Sequence, residues 1–178
     1  MNEATVLAAF GAVLGFLAKS AWDLYWMRRQ QRQALSFEKR VKFLERQLEE
    51  FFWPIYIRLQ KDNAVWERLL DRGKSDPVLA TLGRTIESAV LLPNHGEIVA
   101  IIQSRMHLTA GDTELEEHLV RYLRHVAVYQ ALRQAGVTER DPLQVGEPWP
   151  EKLFSAIKER TKRLQAEYDT LLKLGGAV

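Results

Sequence analysis

The N-terminal segment contains the feature that most restricts what this chain can form, an uncharged apolar run that aromatic and basic residues follow. The run extends from Ala4 to Ala18, and a helix rise of about 1.5 Å per residue makes it roughly 22 Å long. A bilayer core requires roughly 30 Å. Continuation to Leu24 supplies that length and adds only two charged residues, Lys19 and Asp23. The sequence therefore predicts one transmembrane helix that spans from about Ala4 to Leu24.

The residues around the end of this run indicate its orientation. Aromatic side chains suited to the headgroup layer lie at Trp22, Tyr25 and Trp26. Three arginines follow without an acid among them, at Arg28, Arg29 and Arg32. Because basic residues flank membrane helices on the cytoplasmic side, we expect the N-terminus outside and the rest of the chain in the cytoplasm. The predicted location is the plasma (inner) membrane, with membrane lipid as one partner.

Two other interpretations explain less of this segment. A cleaved signal peptide begins with a positive region, whereas this chain begins Met1-Asn2-Glu3 and has no convincing cleavage site before the aromatic residues. A buried core helix accounts for the apolar run but not for aromatic residues and arginines at the same end. We therefore predict a transmembrane helix in residues 1–27, a juxtamembrane amphipathic helix in 28–53 and a cytoplasmic helical domain in 54–178.

Small residues occupy one face of the predicted membrane helix. Gly11 and Gly15 form a GxxxG pattern, and Ala4 and Ala8 extend it toward the N-terminus. Small side chains allow two helix backbones to approach closely. The pattern therefore favours a homo-oligomer that associates through Ala8, Gly11 and Gly15.

The same face continues to Lys19 and Asp23, which are four residues apart. Such a pair can neutralise its charges within one helix or between neighbouring helices. In one interpretation the two side chains line a helix interface or a pore. In the other, Lys19 extends to the inner interface and Asp23 already lies among the headgroups.

Beyond the basic cluster, six apolar residues recur at alternating spacings of four and three, which is a heptad pattern. They are Phe37, Val41, Leu44, Leu48, Phe51 and Ile55. Charged residues of both signs occupy the remaining faces, as in a solvated helix. Because the repeat is short, two interpretations stay open. The helix pairs with other copies as a coiled coil, or it packs its apolar stripe within its own chain.

Prolines, glycines and helix-capping residues divide the rest of the chain into helices. Trp53-Pro54 predicts a kink or a new helix start, because proline supplies no backbone donor. The first two expected helices are one in 54–73 and one from Asp76 that ends at Pro93. Capping boxes at Asn94–Glu97 and Thr113–Glu116 open the next two. A loop in 137–150 then precedes a last helix from Glu151 to Leu174. No segment alternates like a strand. The predicted fold class is all-α, a single N-terminal transmembrane helix followed by a cytoplasmic helical bundle.

Residues that carry chemistry are sparse. The chain has no cysteine, and a net charge of +2 does not predict nucleic-acid binding. His118 and His125 are seven residues apart on one helix, which is not the spacing at which two imidazoles hold one metal. The sequence contains no phosphate-binding glycine loop and no nucleophile motif. We therefore expect a non-enzymatic protein without metal or cofactor.

One segment could bind an anionic ligand. Arg121, Tyr122, Arg124 and His125 lie close together on one predicted helix. Guanidinium groups can donate paired hydrogen bonds to an anion while the rings stack on it. The alternative is that Tyr122 belongs to the core and that the arginines pair with surface acids.

Three classes of function fit these features. The first is a membrane-anchored oligomer whose cytoplasmic domain senses a signal or ligand and controls a pore, a layout shared by defence-related membrane effectors. The second is a membrane-tethered scaffold that recruits a soluble protein partner. The third is a membrane-bound enzyme, which has no positive support in the sequence.

Overall fold

The computed structural model describes residues 3–70, 82–83, 85–109, 111–138 and 140–175, without the side chains of 3–14, 18 and 70. All regular structure in these residues is helical, which confirms the predicted all-α class. The chain forms two compact units, Met1–Phe43 and Leu44–Val178. The predicted segment 28–53 is therefore divided between them.

In the ranges that the structure describes, five α-helices and several short helical turns have defined bounds. The first helix, α1, is the longest, and its last residues, from Leu44 onward, belong to the second unit. The α-helices are α1 (Glu3–Gln47), α2 (Trp53–Val65), α3 (Leu92–Arg105), α4 (Thr113–Gln134) and α5 (Leu153–Gly175). Turns of π-helix occupy Leu48–Phe52, Trp66–Leu70 and Glu87–Leu91, and 3-10 turns occupy Met106–Thr109 and Pro142–Val145.

The predicted membrane span lies in α1, and most of its apolar side chains, those of residues 4–14, are outside the described residues. In the part of the chain that the structure describes, no helix combines the length and the apolar character that a membrane crossing requires.

Two of the π-helical turns end two residues before a proline. The Trp53 N–H donates to the Leu48 carbonyl, and the Leu92 N–H donates to the Glu87 carbonyl, five residues back in each case. Pro54 and Pro93 then take positions in the first turn of the next helix, where a backbone donor is not required. A new helix does start at Trp53. The predicted helix end before Pro93 is wrong, because the chain enters α3 there.

The two predicted capping boxes are wrong. Asn94 lies inside α3, and its buried side chain donates to Asp62 Oδ1 at 2.7 Å instead of capping a helix. The N-cap of α4 is Asp112, whose carboxylate accepts from the Leu115 N–H at 3.1 Å. Thr113 is therefore the first helical residue. The start of the helix predicted from Asp76 lies outside the described residues.

The second unit has one apolar core to which every α-helix contributes. The last four residues of the heptad pattern are part of it, at Leu44, Leu48, Phe51 and Ile55. Their partners include Ile98, Ile102, Leu115, Leu119, Tyr122, Leu153 and Ile157. This part of the stripe, four of its six residues, thus packs within the chain. Phe37 and Val41, in the first unit, are half-buried.

The connection from α4 to α5 is the predicted loop. It contains the 3-10 turn Pro142–Val145, which Asp141 and Gln144 cap reciprocally. Gly146 ends this turn with a φ of 87°, in the left-handed region that glycine adopts without strain. Arg160 of α5 then holds the start of α4 through two bonds to the Asp112 carboxylate.

Candidate functional site

Five aromatic rings from three parts of the second unit pack together. We call them the ring cluster. α4 contributes three of them at helical spacing, which places them on one face. Neighbouring ring centroids are 5.2–6.1 Å apart. The members are His95 of α3, Tyr122, His125 and Tyr129 of α4, and Trp149 of the α4–α5 connection.

A buried carboxylate adjoins this cluster. Asp62 of α2 is 4% exposed and His95 is 5% exposed. The His95 Nε2 lies 3.2 Å from Asp62 Oδ2, close enough for an ion pair, although the alignment does not make a hydrogen bond. Asn94 donates to the other carboxylate oxygen. Three buried atoms in the described residues have no hydrogen-bond partner, and all three belong to this group: Asp62 Oδ2, His95 Nδ1 and Tyr122 OH.

The two tyrosines of the cluster stay protonated for the same physical reason. Burial raises the pKa of Tyr122 well above its ordinary value, and the Asp62 charge raises it further. Burial also raises the pKa of Tyr129, whose hydroxyl donates to the Glu87 carboxylate. Arg133 binds the same carboxylate at 2.6 Å and lies over the Tyr129 ring at 4.8 Å. Tyr129 is thus fixed at both its ring and its hydroxyl.

His125 joins the cluster to the α4–α5 connection. Its Nδ1 lies 2.9 Å from the Glu147 carbonyl oxygen, so this nitrogen carries the donated proton. Burial lowers the pKa of the imidazole below its ordinary value, the hydrogen bond to Glu147 opposes this, and the nearby His95 adds to the lowering. The bundle therefore favours the neutral form of His125.

The four residues of the predicted anionic-ligand site do not share one environment. Tyr122 is in the core, and His125 is buried against the connection. Arg121 is exposed and pairs with Glu117. Arg124 pairs with Glu147. The anion site remains a prediction, with the arginines engaged in the surface pairs of the alternative interpretation.

Sequence reasoning did not identify Asp62, His95 or Trp149 as members of a site. One signal for Asp62 was present. Ile55, Leu59 and Asp62 follow each other at spacings of four and three, so the acid takes a position on the buried stripe of α2. An acid on an apolar face indicates a buried partner. The identity of that partner depends on the packing of α3.

The residues predicted for helix association and for the interface or pore charges are described in part. Ala8 and Gly11 lie outside the described side chains. A Cβ at Gly15 would meet nothing within 4 Å, and Lys19 and Asp23 are exposed. The rings of Trp22, Tyr25 and Trp26 contact each other at centroid distances of 6.0–6.4 Å.

Within the described residues, no group of three or more histidines and acids is arranged to hold a metal ion. In comparisons of the chain with protein-family models, with curated proteins and with solved structures, none matches. Function therefore has to be argued from the residues and their geometry alone.

Proposed function

We propose that this chain is a non-enzymatic, single-pass membrane-anchored oligomer whose cytoplasmic bundle receives a signal or ligand. The observation that carries the proposal is the surface of α1. Phe16 is 70% exposed, Leu17 56%, Trp22 61% and Tyr25 57%. Exposure of apolar area to water costs about 25 cal/mol per Å², and contiguous apolar surface of this kind marks a contact with a membrane or a protein. A bilayer supplies that contact.

The polar residues that follow support insertion with the N-terminus outside. Arg29 lies 5.2 Å from the centroid of the Trp26 ring. An arginine that stacks on an aromatic ring fits the headgroup layer, where the ring is half in the apolar region and the guanidinium meets phosphates. Arg28 and Arg32 are exposed beside it.

The bundle is the part suited to receiving a signal. Its core contains the last turn of α1, where Gln47 Nε2 donates to the Leu108 carbonyl at 2.6 Å in a buried hydrogen bond. The residues of α1 from Leu44 to Gln47 therefore belong to the packing of the bundle. This is the basis for proposing that the bundle controls an assembly in the membrane.

Self-association and a pore are the finer parts of the proposal. The open space at Gly15 leaves room for the backbone of a second copy, and the exposed Lys19 and Asp23 are available to charges on that copy. In a closed ring of copies, the two residues form a polar layer that controls ion passage.

A membrane-tethered scaffold is the second candidate. Apolar side chains exposed on the bundle favour it, because they offer contacts to a soluble protein partner. Ile57 is 60% exposed and Leu143 is 68% exposed. The oligomeric state in mild detergent separates the two candidates, since the pore requires a ring and the scaffold does not.

Membrane insertion is tested with a pair of matched variants. Leu17 and Leu35 are both 56% exposed on α1, but only Leu17 lies in the proposed span. We expect the parent and Leu35→Glu to stay in the membrane pellet after alkaline carbonate extraction. The double variant Phe16→Glu with Leu17→Glu should be extracted, because acidic side chains near the bilayer centre oppose insertion.

Orientation is measured on the same chains with a reporter fused to Val178 that is active only in the cytoplasm. Activity in the membrane-inserted parent is expected. Extraction of the parent by carbonate would overturn the anchor, and an inactive reporter on inserted protein would overturn the orientation.

A further inference from the structure

The segment 140–150, which we call the strap, crosses from α4 to α5 with limited backbone hydrogen bonding. The Glu147 N–H donates to the Pro142 carbonyl at 2.9 Å, the Gly146 N–H to the Leu143 carbonyl at 3.2 Å and the Gln144 N–H to the Asp141 carbonyl at 3.0 Å. At the start of the strap, Arg133 of α4 donates to the Arg140 carbonyl at 2.8 Å. Pro148 has no N–H to donate, and neither has Pro142. Segments of this kind open locally at a lower free energy than the helices they join.

Side-chain contacts to α4 hold the strap near its C-terminal end. The Trp149 ring lies 5.2 Å from the His125 ring, edge to face, and 5.4 Å from the Tyr122 ring. The His125 Nδ1–H donates to the Glu147 carbonyl at 2.9 Å. Arg124 pairs with the Glu147 carboxylate. His125 is thus the residue that contacts both the strap backbone and the strap tryptophan.

The charged groups around His125 form ion pairs or hydrogen bonds with one another. Asp62 of α2 pairs with His95 of α3. Glu147 of the strap pairs with Arg124 of α4. Before α3, Glu87 binds both Tyr129 and Arg133 of α4. Tyr122, the remaining titratable neighbour, is a neutral phenol in the core. A positive charge on His125 is attracted by Glu147, whose carboxylate Arg124 already binds, and repelled by His95, while burial opposes the charge most strongly.

We propose that protonation of His125 releases the strap from the bundle, so that the segment 140–150 responds to acidification. Displacement of Trp149 and of the Glu147 carbonyl exposes the imidazolium to water, which relieves its desolvation. The Nδ1–H can donate to Glu147 in both forms of the ring, so the cost that protonation adds is the burial of a charge. The neutral ring keeps both contacts without that cost. The strap then separates from the ring cluster while the apolar core of the helices remains packed.

The direction of the pKa shift agrees with this. Burial places the pKa of His125 in the bundle below its ordinary value of 6.5. The closed state therefore has its full stability above that pH, and it loses stability as the pH falls from the ordinary value through the lowered one. Protonation is thermodynamically linked to opening.

The test is backbone hydrogen exchange of the full chain in detergent at about pH 7.5 and about pH 5.5, corrected for the intrinsic pH dependence of exchange. We expect amides of the strap to lose protection several-fold at the lower pH, while amides of α5 stay protected. His125→Gln should remove the response, because glutamine can still donate to the Glu147 carbonyl but cannot gain a charge.

His118→Gln is the matched control, since His118 is half-buried on the same helix and lies outside the ring cluster. It should keep the response. Equal strap protection in the parent at both pH values, or a response of His125→Gln equal to that of the parent, would overturn the proposal. If circular dichroism shows that His125→Gln is not folded, titration of the histidine ring resonances of the parent decides instead. The titration of a histidine ring must then follow the same pH dependence as the loss of protection in the strap amides. The inference uses only the bundle, so its failure leaves the membrane anchor untouched.

Discussion

At the scale of single residues, two ion pairs between α2 and α3 show how burial determines what a charge contributes. Arg58 and Glu97 pair at 2.8 Å with side chains that are 31% and 60% exposed. Asp62, one turn further along α2, pairs with His95, and both side chains are 6% exposed. The exposed pair contributes little to the free energy of unfolding, because water solvates its two charges almost as well when they are apart. Removal of one member of the buried pair leaves polar groups without water or partner.

Asp62→Ala should therefore lower the free energy of unfolding by about 3 kcal/mol, the lower end of the usual range for breaking a buried pair. The variant removes the Asp62 oxygen to which the buried Asn94 amide donates, and it removes the carboxylate that lies 3.2 Å from His95 Nε2. Urea denaturation of the full chain in detergent provides the measurement. Glu97→Ala is the control, with an expected loss of about 1 kcal/mol or less. Similar losses in the two variants would show that the buried pair has no special role.

At the scale of elements, the buried heptad stripe continues through the helical turn that precedes Pro54. The π-helical turn Leu48–Phe52 accommodates the missing donor of Pro54, and its buried residues are Leu48, Phe51 and Phe52. The chain thus passes from α1 to α2 without leaving the core. Phe51 is fully buried and contacts Phe52 edge to face at 5.1 Å.

Phe51→Ala tests which interpretation of the heptad pattern holds at this position. Truncation of a buried phenylalanine to alanine lowers the free energy of unfolding by about 3–5 kcal/mol, because apolar burial is lost and a cavity remains. We expect a loss of that size that does not change with protein concentration, because the side chain packs within one chain. Phe43→Ala, at a residue that is 39% exposed, should cost far less. A loss that grows as the protein is diluted would instead assign Phe51 to an interface between copies.

At the scale of the whole molecule, the two units have different kinds of surface. The second unit buries one large apolar core, and single apolar side chains such as Ile57 and Leu143 stay exposed on it. In the first, large apolar side chains are exposed from Phe16 to Met27. An exposed apolar helix is stable when a bilayer or other helices cover it. The proposed function includes contact of α1 both with a bilayer and with other helices, and a separate experiment tests each contact.

Association through the small-residue face is tested by Gly11→Ile with Gly15→Ile. Branched side chains separate helix backbones that otherwise touch. We expect the double variant to show less crosslinking in membranes than the parent while it inserts equally well. Leu35→Glu, which changes α1 outside that face, should crosslink like the parent. Unchanged crosslinking of the double variant would remove the small-residue face from the proposal.

The Lys19 and Asp23 pair distinguishes a pore from a simple anchor. A lysine at the bilayer centre costs about 2.5–3.5 kcal/mol on insertion scales, but near the inner leaflet the side chain can reach the headgroups. If the pair lines an interface, Asp23→Lys should reduce oligomer yield and ion flux in vesicles, and Lys19→Asp added to it should restore part of both. Equal assembly without flux in the parent and both variants would favour the scaffold.

Local signals in the sequence determined the helical class and many of the element boundaries. Pro54 marks the start of α2, and the apolar spacing identifies the buried faces. These rules act within one or two turns of backbone, so they can be applied without knowing the fold. The stripe from Leu44 to Ile55 was visible for this reason.

The ring cluster was decided by tertiary structure. Asn94 has the local chemistry of a helix cap, yet its side chain bonds to Asp62, 32 residues away. His95 and Trp149 meet only because α3 and the strap pack against the same face of α4. Which side chains come together over such distances depends on how the helices fill one core. A pattern within a single helix shows that a polar residue is buried, and only the packing of the other helices decides what it meets.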